Sequence, residues 1–365
     1  MTRQVAATAE SPRQDTPTPG GPRVVQDACA HTHLPDEAAR NDAGQTLFPA
    51  QFTPGVERAY KLDLKLGFRC NNRCTFCVQG DKRDYVADLT TAEAIGRLEV
   101  ARATCDGLLL TGGEITIRED VPEIIRAAKS LGYKLIQVQT NGRRLAYMSY
   151  CEALVEAGAT EFNPSLHGHI APLHDGLVGA KGAYRQVVQG LRNLQTLRQK
   201  VLSQTVITRM NVMYLRDIAT LLCHLGVWQV QFAFVHALGT AAKTWDQTVP
   251  RYRDVQKHLP LALDVVQKAR RSTVTEAVPF CFLRGREWAA VEPGLPDTTV
   301  YDGDVQIGDY ARYRWEAGKA HGPPCAVCTW QRACEGPWRE YPERFGWDEF
   351  VPRTDPPPAL AHGAP

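Results

Sequence analysis

No apolar run in the 365 residues is long enough to span a bilayer, and Met1 to Asp15 lack the apolar centre of a secretory signal. Charge of one sign is missing too: 42 basic residues stand against 40 acidic ones, and the basic residues are scattered. A polyanion or an anionic lipid surface finds no field to draw it, so neither nucleic acid nor membrane is expected as a partner. With no export signal, the expected compartment is the reducing cytoplasm. There, eleven cysteines do not make a disulfide framework, and metal or redox chemistry is the better reading.

Seven of those cysteines are grouped: Cys70, Cys74 and Cys77, then Cys325, Cys328 and Cys334, with Cys281 between. Cys29, Cys105, Cys151 and Cys223 stand alone; the last three fall in helical contexts and read as small core residues. Residues 1–55 are rich in Pro, Thr, Ala, Gln and Asp without apolar period, and are expected to be a disordered leader. A similar tail is expected over 353–365.

Between them, short apolar runs alternate with helical patterns. Strands are expected over 61–66, 107–110, 134–140, 161–166, 202–209 and 229–235. Thr90 and Glu93 form a capping box before an apolar stripe, and further helices are expected over 121–131, 145–157, 184–196 and 215–225. Six strand–helix units in a row imply an α/β fold with a parallel sheet and right-handed crossovers. Such sheets carry their chemistry at the carboxyl ends of the strands. A barrel-like domain is expected over 56–248 and a small Cys-rich extension over 249–352, with one further helix over 252–270.

The first cysteine group directly follows the first expected strand. Three thiolates at the spacing Cys70-x3-Cys74-x2-Cys77 can hold three irons of a cubane cluster and leave the fourth open. Zinc is the alternative, but it wants four protein ligands and no fourth lies near in sequence. An electron-carrying ferredoxin cluster also needs a fourth cysteine. Phe76 stands immediately before the last cysteine. With that residue the segment resembles the signature of the radical S-adenosylmethionine (SAM) superfamily. The resemblance implies a partial (β/α)6 radical SAM barrel over about residues 60–245, a [4Fe–4S] cluster on Cys70, Cys74 and Cys77, and SAM chelated at the open iron. One electron from the cluster then cleaves SAM to a 5′-deoxyadenosyl radical.

The remaining motifs fall at later strand ends. Gly112-Gly113-Glu114 is a turn that brings backbone amides and a carboxylate together. By the resemblance, these three contact the SAM amino group. Thr140, before Asn141-Gly142, belongs to a turn or to the site. Ser165 is the best match for a ribose contact, and Arg209 and Asn211 for carboxylate or ribose contacts, or else they mark an exposed strand end. His167, His169 and His174 with Asp175 could form a metal site only if their loops converged, and one of these histidines could serve a substrate as acid or base.

Cys325-x2-Cys328-x5-Cys334 with Cys281 could close a second [4Fe–4S] cluster with no open iron, or a structural zinc site. The spacing is similar to part of the SPASM or twitch extension behind many radical SAM barrels. It departs from the fuller pattern at Trp338, where a cysteine would stand.

A radical SAM enzyme acting on a peptide or small natural product is therefore expected, with an oxidative outcome if the auxiliary cluster is redox-active. An epimerase using Cys223 or Cys151 as hydrogen donor is the second enzyme reading. A non-catalytic electron carrier or zinc-stabilised binding protein is the reading from another class. The resemblance also implies flavodoxin or ferredoxin as electron donor. A peptide substrate would call for a separate leader-binding partner, since 1–55 do not look capable of forming such a domain.

Overall fold

A computed structural model describes residues 60–357 together with the two-residue strand Arg23–Val24. The rest of the expected leader, Cys29 within it, and residues 358–365 of the expected tail lie outside the described residues. The six expected strands are present as β2 (Tyr60–Lys65), β3 (Gly107–Thr111), β4 (Leu135–Thr140), β5 (Glu161–Pro164), β6 (Lys200–Ile207) and β7 (Gln229–Phe234). They pair in sequence order and in parallel. The intervening helices are α1 (Thr91–Ala101), α2 (Val121–Ser130), α3 (Met148–Ala157), α4 (Ala171–Val178), α5 (Ala183–Thr196) and α6 (Leu215–His224). Both halves of the Thr90–Glu93 capping box form.

Beyond β7 come the short helices α7 (Thr240–Lys243) and α8 (Trp245–Thr248), then α9 (Tyr252–Lys268) and β8 (Ser272–Glu276). β8 pairs in parallel with β7. β9 (Asp297–Asp302) returns to pair in parallel with β2, and β10 (Val305–Ile307) folds back on it as a hairpin. β1 (Arg23–Val24) edges β10. The sheet thus has ten strands in the order β1-β10-β9-β2-β3-β4-β5-β6-β7-β8 and does not close. Strands β8, β9 and β10 come from the segment after residue 248. The boundary there marks a change of composition, and the sheet runs across it.

Strand alternation sets the two faces. Leu62, Leu64, Leu108, Leu110, Ile136 and Val138 are buried in the main core with helix residues such as Leu98, Ile124 and Leu154. The other set is polar and reaches across skipped strands. Lys61 Nζ on β2 donates to Gln137 Oε1 on β4 (2.9 Å), and Gln139 on β4 donates to Gln204 on β6 (3.1 Å). Contacts that jump a strand require the sheet to curl, so these residues line the concave side of a partial barrel. No described helix is long and apolar enough to cross a membrane.

Candidate active site at the rim of the barrel

The cysteine loop is laid over the carboxyl ends of the strands and pinned from four directions. The β3 end holds it through Gly113 N to Gly67 O (2.8 Å) and Glu114 N to Arg69 O (2.8 Å). The end of α4 accepts Arg73 N at Val178 O and Thr75 N at Leu177 O. After β7, Thr240 N donates to Cys77 O (2.9 Å) and Thr244 Oγ1 to Thr75 O (2.8 Å). After β4, Asn141 Nδ2 donates to Asn71 Oδ1 (2.6 Å), and Arg143 reaches Asn71 O and Asn72 Oδ1.

Close packing explains the glycines. Gly112 has φ +140°, and a Cβ on it would strike Gly67 O. A Cβ on Gly113 would strike the carbonyl oxygens of Phe68 and Arg69. Only glycines let the two loops meet this closely.

Cys70, Cys74 and Cys77 are brought together by this loop. Burial, then the neighbouring charges of Cys77 and Cys70, push the Cys74 thiol well above its ordinary range. Burial likewise raises Cys70, while the Asn72 amide, 3.3 Å from its sulfur, opposes the rise. Amides directed at sulfur stabilise thiolates, the form that ligates iron. Three clustered thiols beside a cradle that admits only glycine fit a cluster with one open iron. Among the described residues no group of three or more His, Cys, Asp or Glu could hold a single metal ion.

Glu114 is buried, and its carboxylate accepts three hydrogen bonds on Oε1 and one on Oε2. Oε1 accepts from Thr116 N (3.0 Å), Thr116 Oγ1 (2.6 Å) and Thr140 Oγ1 (2.6 Å), and Oε2 accepts from Asn141 N (2.5 Å). Thr140 therefore serves Glu114, and Gly142 N in turn donates to Thr140 Oγ1. Ser165 continues β5 and bridges in parallel to Gln204, so it stands at the same rim. Arg209 follows β6 with its guanidinium on Asp246 O (2.6 Å). Asn211 is wholly buried. Its Oδ1 takes Thr208 N and Oγ1, and its Nδ2 donates to His167 O and Val206 O. Those four bonds fill the amide's ordinary capacity, so Asn211 shapes the loop.

Phe76 is buried edge-on against the His167 ring at 4.6 Å. His167 Nδ1 accepts from Val206 N, and His174 Nδ1 accepts from His167 N (3.1 Å). Asp175 accepts from Gly182 N and Tyr184 N. This run braces the fold. Cys151 is buried on α3 and donates to Leu145 O (3.2 Å), with burial pushing its thiol up to about 11. Cys223 lies on α6 at the edge of the core. Both sit on helices outside the sheet, Cys151 with its thiol turned to the loop after β4.

Cys281, Cys325, Cys328 and Cys334 line one cleft of about 410 Å³, counted with its open mouth. Burial raises Cys281 first, and the charges of Cys334, Cys325 and Cys328 follow. Burial also pushes Cys334 up to about 12, opposed by backbone amides of Phe280 and Gly336. Arg353 N lies 3.4 Å from Cys328 Sγ. Trp338, at the position where the fuller pattern has a cysteine, stacks on His236 at 3.8 Å and under Lys319 Nζ at 3.9 Å. The role of Arg143 in bracing Asn71 and Asn72 carries no sequence signal, because it depends on where two distant loops meet.

Comparison with known proteins agrees with this geometry. An AdoMet-dependent heme synthase from Oleidesulfovibrio alaskensis is 28% identical over 236 residues, 63% of this chain and 58% of that protein. A probable GTP 3',8-cyclase from Saccharolobus islandicus is 30% identical over 182 residues, 49% of this chain and 58% of that protein. The chain thus spans 58% of the length of these curated relatives. Among solved structures, Streptococcus suis SuiB bound to the precursor peptide SuiA superposes with a TM-score of 0.60 at 13% identity, covering 82% of this chain and 76% of that one. The anSMEcpe structure with bound AdoMet and Kp18Cys peptide gives a TM-score of 0.57 at 16% identity, covering 77% and 89%. At such identities the likeness is one of fold. Residues 64–222 match the family model of the radical SAM superfamily, and this part of the chain is a radical SAM domain.

Proposed function

We propose that this chain reductively cleaves SAM and abstracts a hydrogen atom from a peptide or small natural-product substrate. The observation that carries the reading is the loop bearing Cys70, Cys74 and Cys77, locked at the strand ends against the Gly112-Gly113-Glu114 turn. Cys70, Cys74 and Cys77 would hold a [4Fe–4S] cluster there, which would supply the electron for reductive cleavage of SAM. The chain's own residues bind and orient. Gly112 and Gly113 keep the backbone bare beside the cysteine loop. Glu114, held from both carboxylate oxygens, fixes the loop after β4 and offers its remaining lone pairs to the SAM amino group. Ser165 and Arg209 stand at the rim as polar contacts for ribose or carboxylate.

The four thiols of the C-terminal cleft support an auxiliary [4Fe–4S] cluster. Zinc needs its ligands about 2.3 Å from one centre, and among the described residues no group of three or more His, Cys, Asp or Glu is placed to hold a single ion. A redox-active cluster there would accept an electron from a substrate radical, which favours net oxidation. The epimerase alternative lacks a hydrogen donor in Cys151 and Cys223, since both lie on outer helices. A flavodoxin or ferredoxin is the electron donor this reading requires, and a peptide substrate would add a separate leader-binding protein.

The test is iron and sulfide content, electron paramagnetic resonance and 5′-deoxyadenosine release from anaerobically reconstituted protein. About eight irons per chain, a signal that shifts with SAM, and release abolished by Cys74→Ala are expected. Release that survives Cys74→Ala would remove the assignment. About four irons with a SAM-sensitive signal would leave the radical enzyme and remove the auxiliary cluster.

A further inference from the structure

Lys65, Thr111, Gln139 and Asn163 stand in one row across β2 to β5, at the strand ends or one residue below them. Lys65 pairs level with Thr111 and Gln139 with Asn163, and the Leu110–Val138 pair puts the two halves of the row in step. Partners in a parallel ladder point to one face. That face is the concave one, where Gln139 reaches across β5 to Gln204. The row is therefore the top layer of the barrel interior, and the cysteine loop leaves β2 directly above it. Solvent reaches this layer: the Asp63 and Asp302 side chains are each 20% exposed, whereas Leu62 and Leu64 on the helix side are wholly buried.

Three donors on this face have no acceptor. Asn163 is 6% exposed, yet neither atom of its amide makes a hydrogen bond among the described residues; Oδ1 is enclosed, and Nδ2 keeps accessible surface. Asn211, just as deep, spends all four of its bonds on the fold. Lys65 Nζ has Asp63 and Asp302 at 3.7 and 3.9 Å, beyond hydrogen-bond distance, and its side chain is nine-tenths buried. Gln204 accepts Gln139 on Oε1 and leaves Nε2 uncommitted. The carboxylates of the interior already hold closer donors: Asp63 has Thr111 Oγ1, Asp302 has Lys82 Nζ, and Glu161 has Lys200 and Gln137. Donors left open in such a place are unfavourable until an acceptor arrives.

We propose that Lys65, Asn163 and Gln204 make the substrate pocket selective for a carboxylate-bearing molecule. The Lys65 ammonium takes the carboxylate, and the Asn163 and Gln204 amides donate to the remaining acceptors of the same molecule. This deepens the proposed function and rests on it for the word substrate; the donor row itself stands on register and burial alone.

Isothermal titration of the full chain with sodium N-acetylglycine tests it, against N-acetylglycinamide, the neutral counterpart, and with sodium chloride at matched ionic strength as background. Saturable one-to-one binding of the carboxylate and at least tenfold weaker binding of the amide are expected. Lys65→Met should weaken carboxylate binding roughly tenfold or more, and Asn163→Leu several fold. Near-UV circular dichroism checks that each variant is folded. Asn163→Leu removes an amide that the fold leaves unbonded, so its melting temperature should hold or rise; a fall of several degrees would give that amide to the fold and overturn its assignment. Should Lys65→Met fail to fold, Asn163→Leu decides alone. No saturable binding, equal binding of acid and amide, or wild-type binding by the folded variants overturns the proposal. Release of 5′-deoxyadenosine by the reconstituted wild type reports the radical chemistry separately: release without N-acetylglycine binding removes this pocket alone, and binding without release removes the radical reading alone.

Discussion

His167 and His174 each accept a backbone hydrogen bond on Nδ1 inside the core. Burial holds His174 down at about 4 and His167 well below its usual range of 6.5. Both are neutral in the folded chain at pH values where an unfolded histidine is charged. Their contribution is complete above about pH 6.5 and is lost as pH falls, since the unfolded state then takes up protons that the folded state refuses. Each proton costs about 1.4 kcal/mol per pH unit. Urea midpoints should fall from pH 6.5 toward 4, and His174→Gln should flatten that slope by about one proton; an unchanged slope would assign the loss to other groups. At this scale residue type was legible in the sequence and residue duty only partly. Cys70, Cys74, Cys77, Gly113 and Glu114 stand together at the strand ends because their chemistry is local and spaced along a loop. Asn211 looked like a ligand contact and is instead consumed by Thr208, His167 and Val206, partners that no spacing reveals.

Loops rather than helices decide whether the cysteines meet. Gly113 packs its bare α-carbon on the carbonyls of Phe68 and Arg69, so one methyl group there must push the cysteine loop off the β3 end. Gly113→Ala should leave far-UV circular dichroism and the main melting transition intact while iron bound after reconstitution drops at least severalfold; full iron loading would show that the loop tolerates the shift. The six strands were legible because each is a short apolar run closed by a turn or a helix cap. β8 and β9 were not, since Ser-Thr-Val-Thr-Glu (272–276) and Asp-Thr-Thr-Val-Tyr-Asp (297–302) carry too few apolar residues to make a run. Their apolar complement is supplied by β7 and β2, far away in sequence. The Gly303-Asp304 pair that turns β9 into β10, with Gly303 at φ +67°, was the one local cue, a two-residue hairpin signal.

The whole molecule is tied by a buried ion cluster. The Arg314 side chain is 1% exposed and pairs with Glu276 at the end of β8 (2.5 Å), with Glu292 (3.3 Å) and with Glu335 beside Cys334 (2.9 Å). One guanidinium thus fastens the C-terminal segment to the open edge of the barrel. Burial, with Glu335 nearby, lifts Glu292 to about 7 against the pull of Arg314 and Lys319, so the cluster is sensitive to losing a cation. Arg314→Met should cost about 3–5 kcal/mol by removing the ion partner of Glu276 and Glu292, while Glu335 keeps Lys319, read as a melting temperature lower by roughly five to eight degrees. A shift within two degrees would make the cluster ornamental. Such a link between β8 and the final cysteines was invisible in the sequence, because charge in a composition table does not say which charges share an interior.

The bond from Thr244 Oγ1 to Thr75 O joins residues 169 positions apart. With Thr240 N on Cys77 O, it means that the cysteine loop is finished from a part of the chain made long after the cysteines themselves. During synthesis, the three thiols leave the ribosome early and wait. Their scaffold is complete only once residue 244 of 365 has emerged. On the proposed reading, iron delivered before that moment would meet a loose peptide, and iron delivered later a loop held from both ends of the barrel.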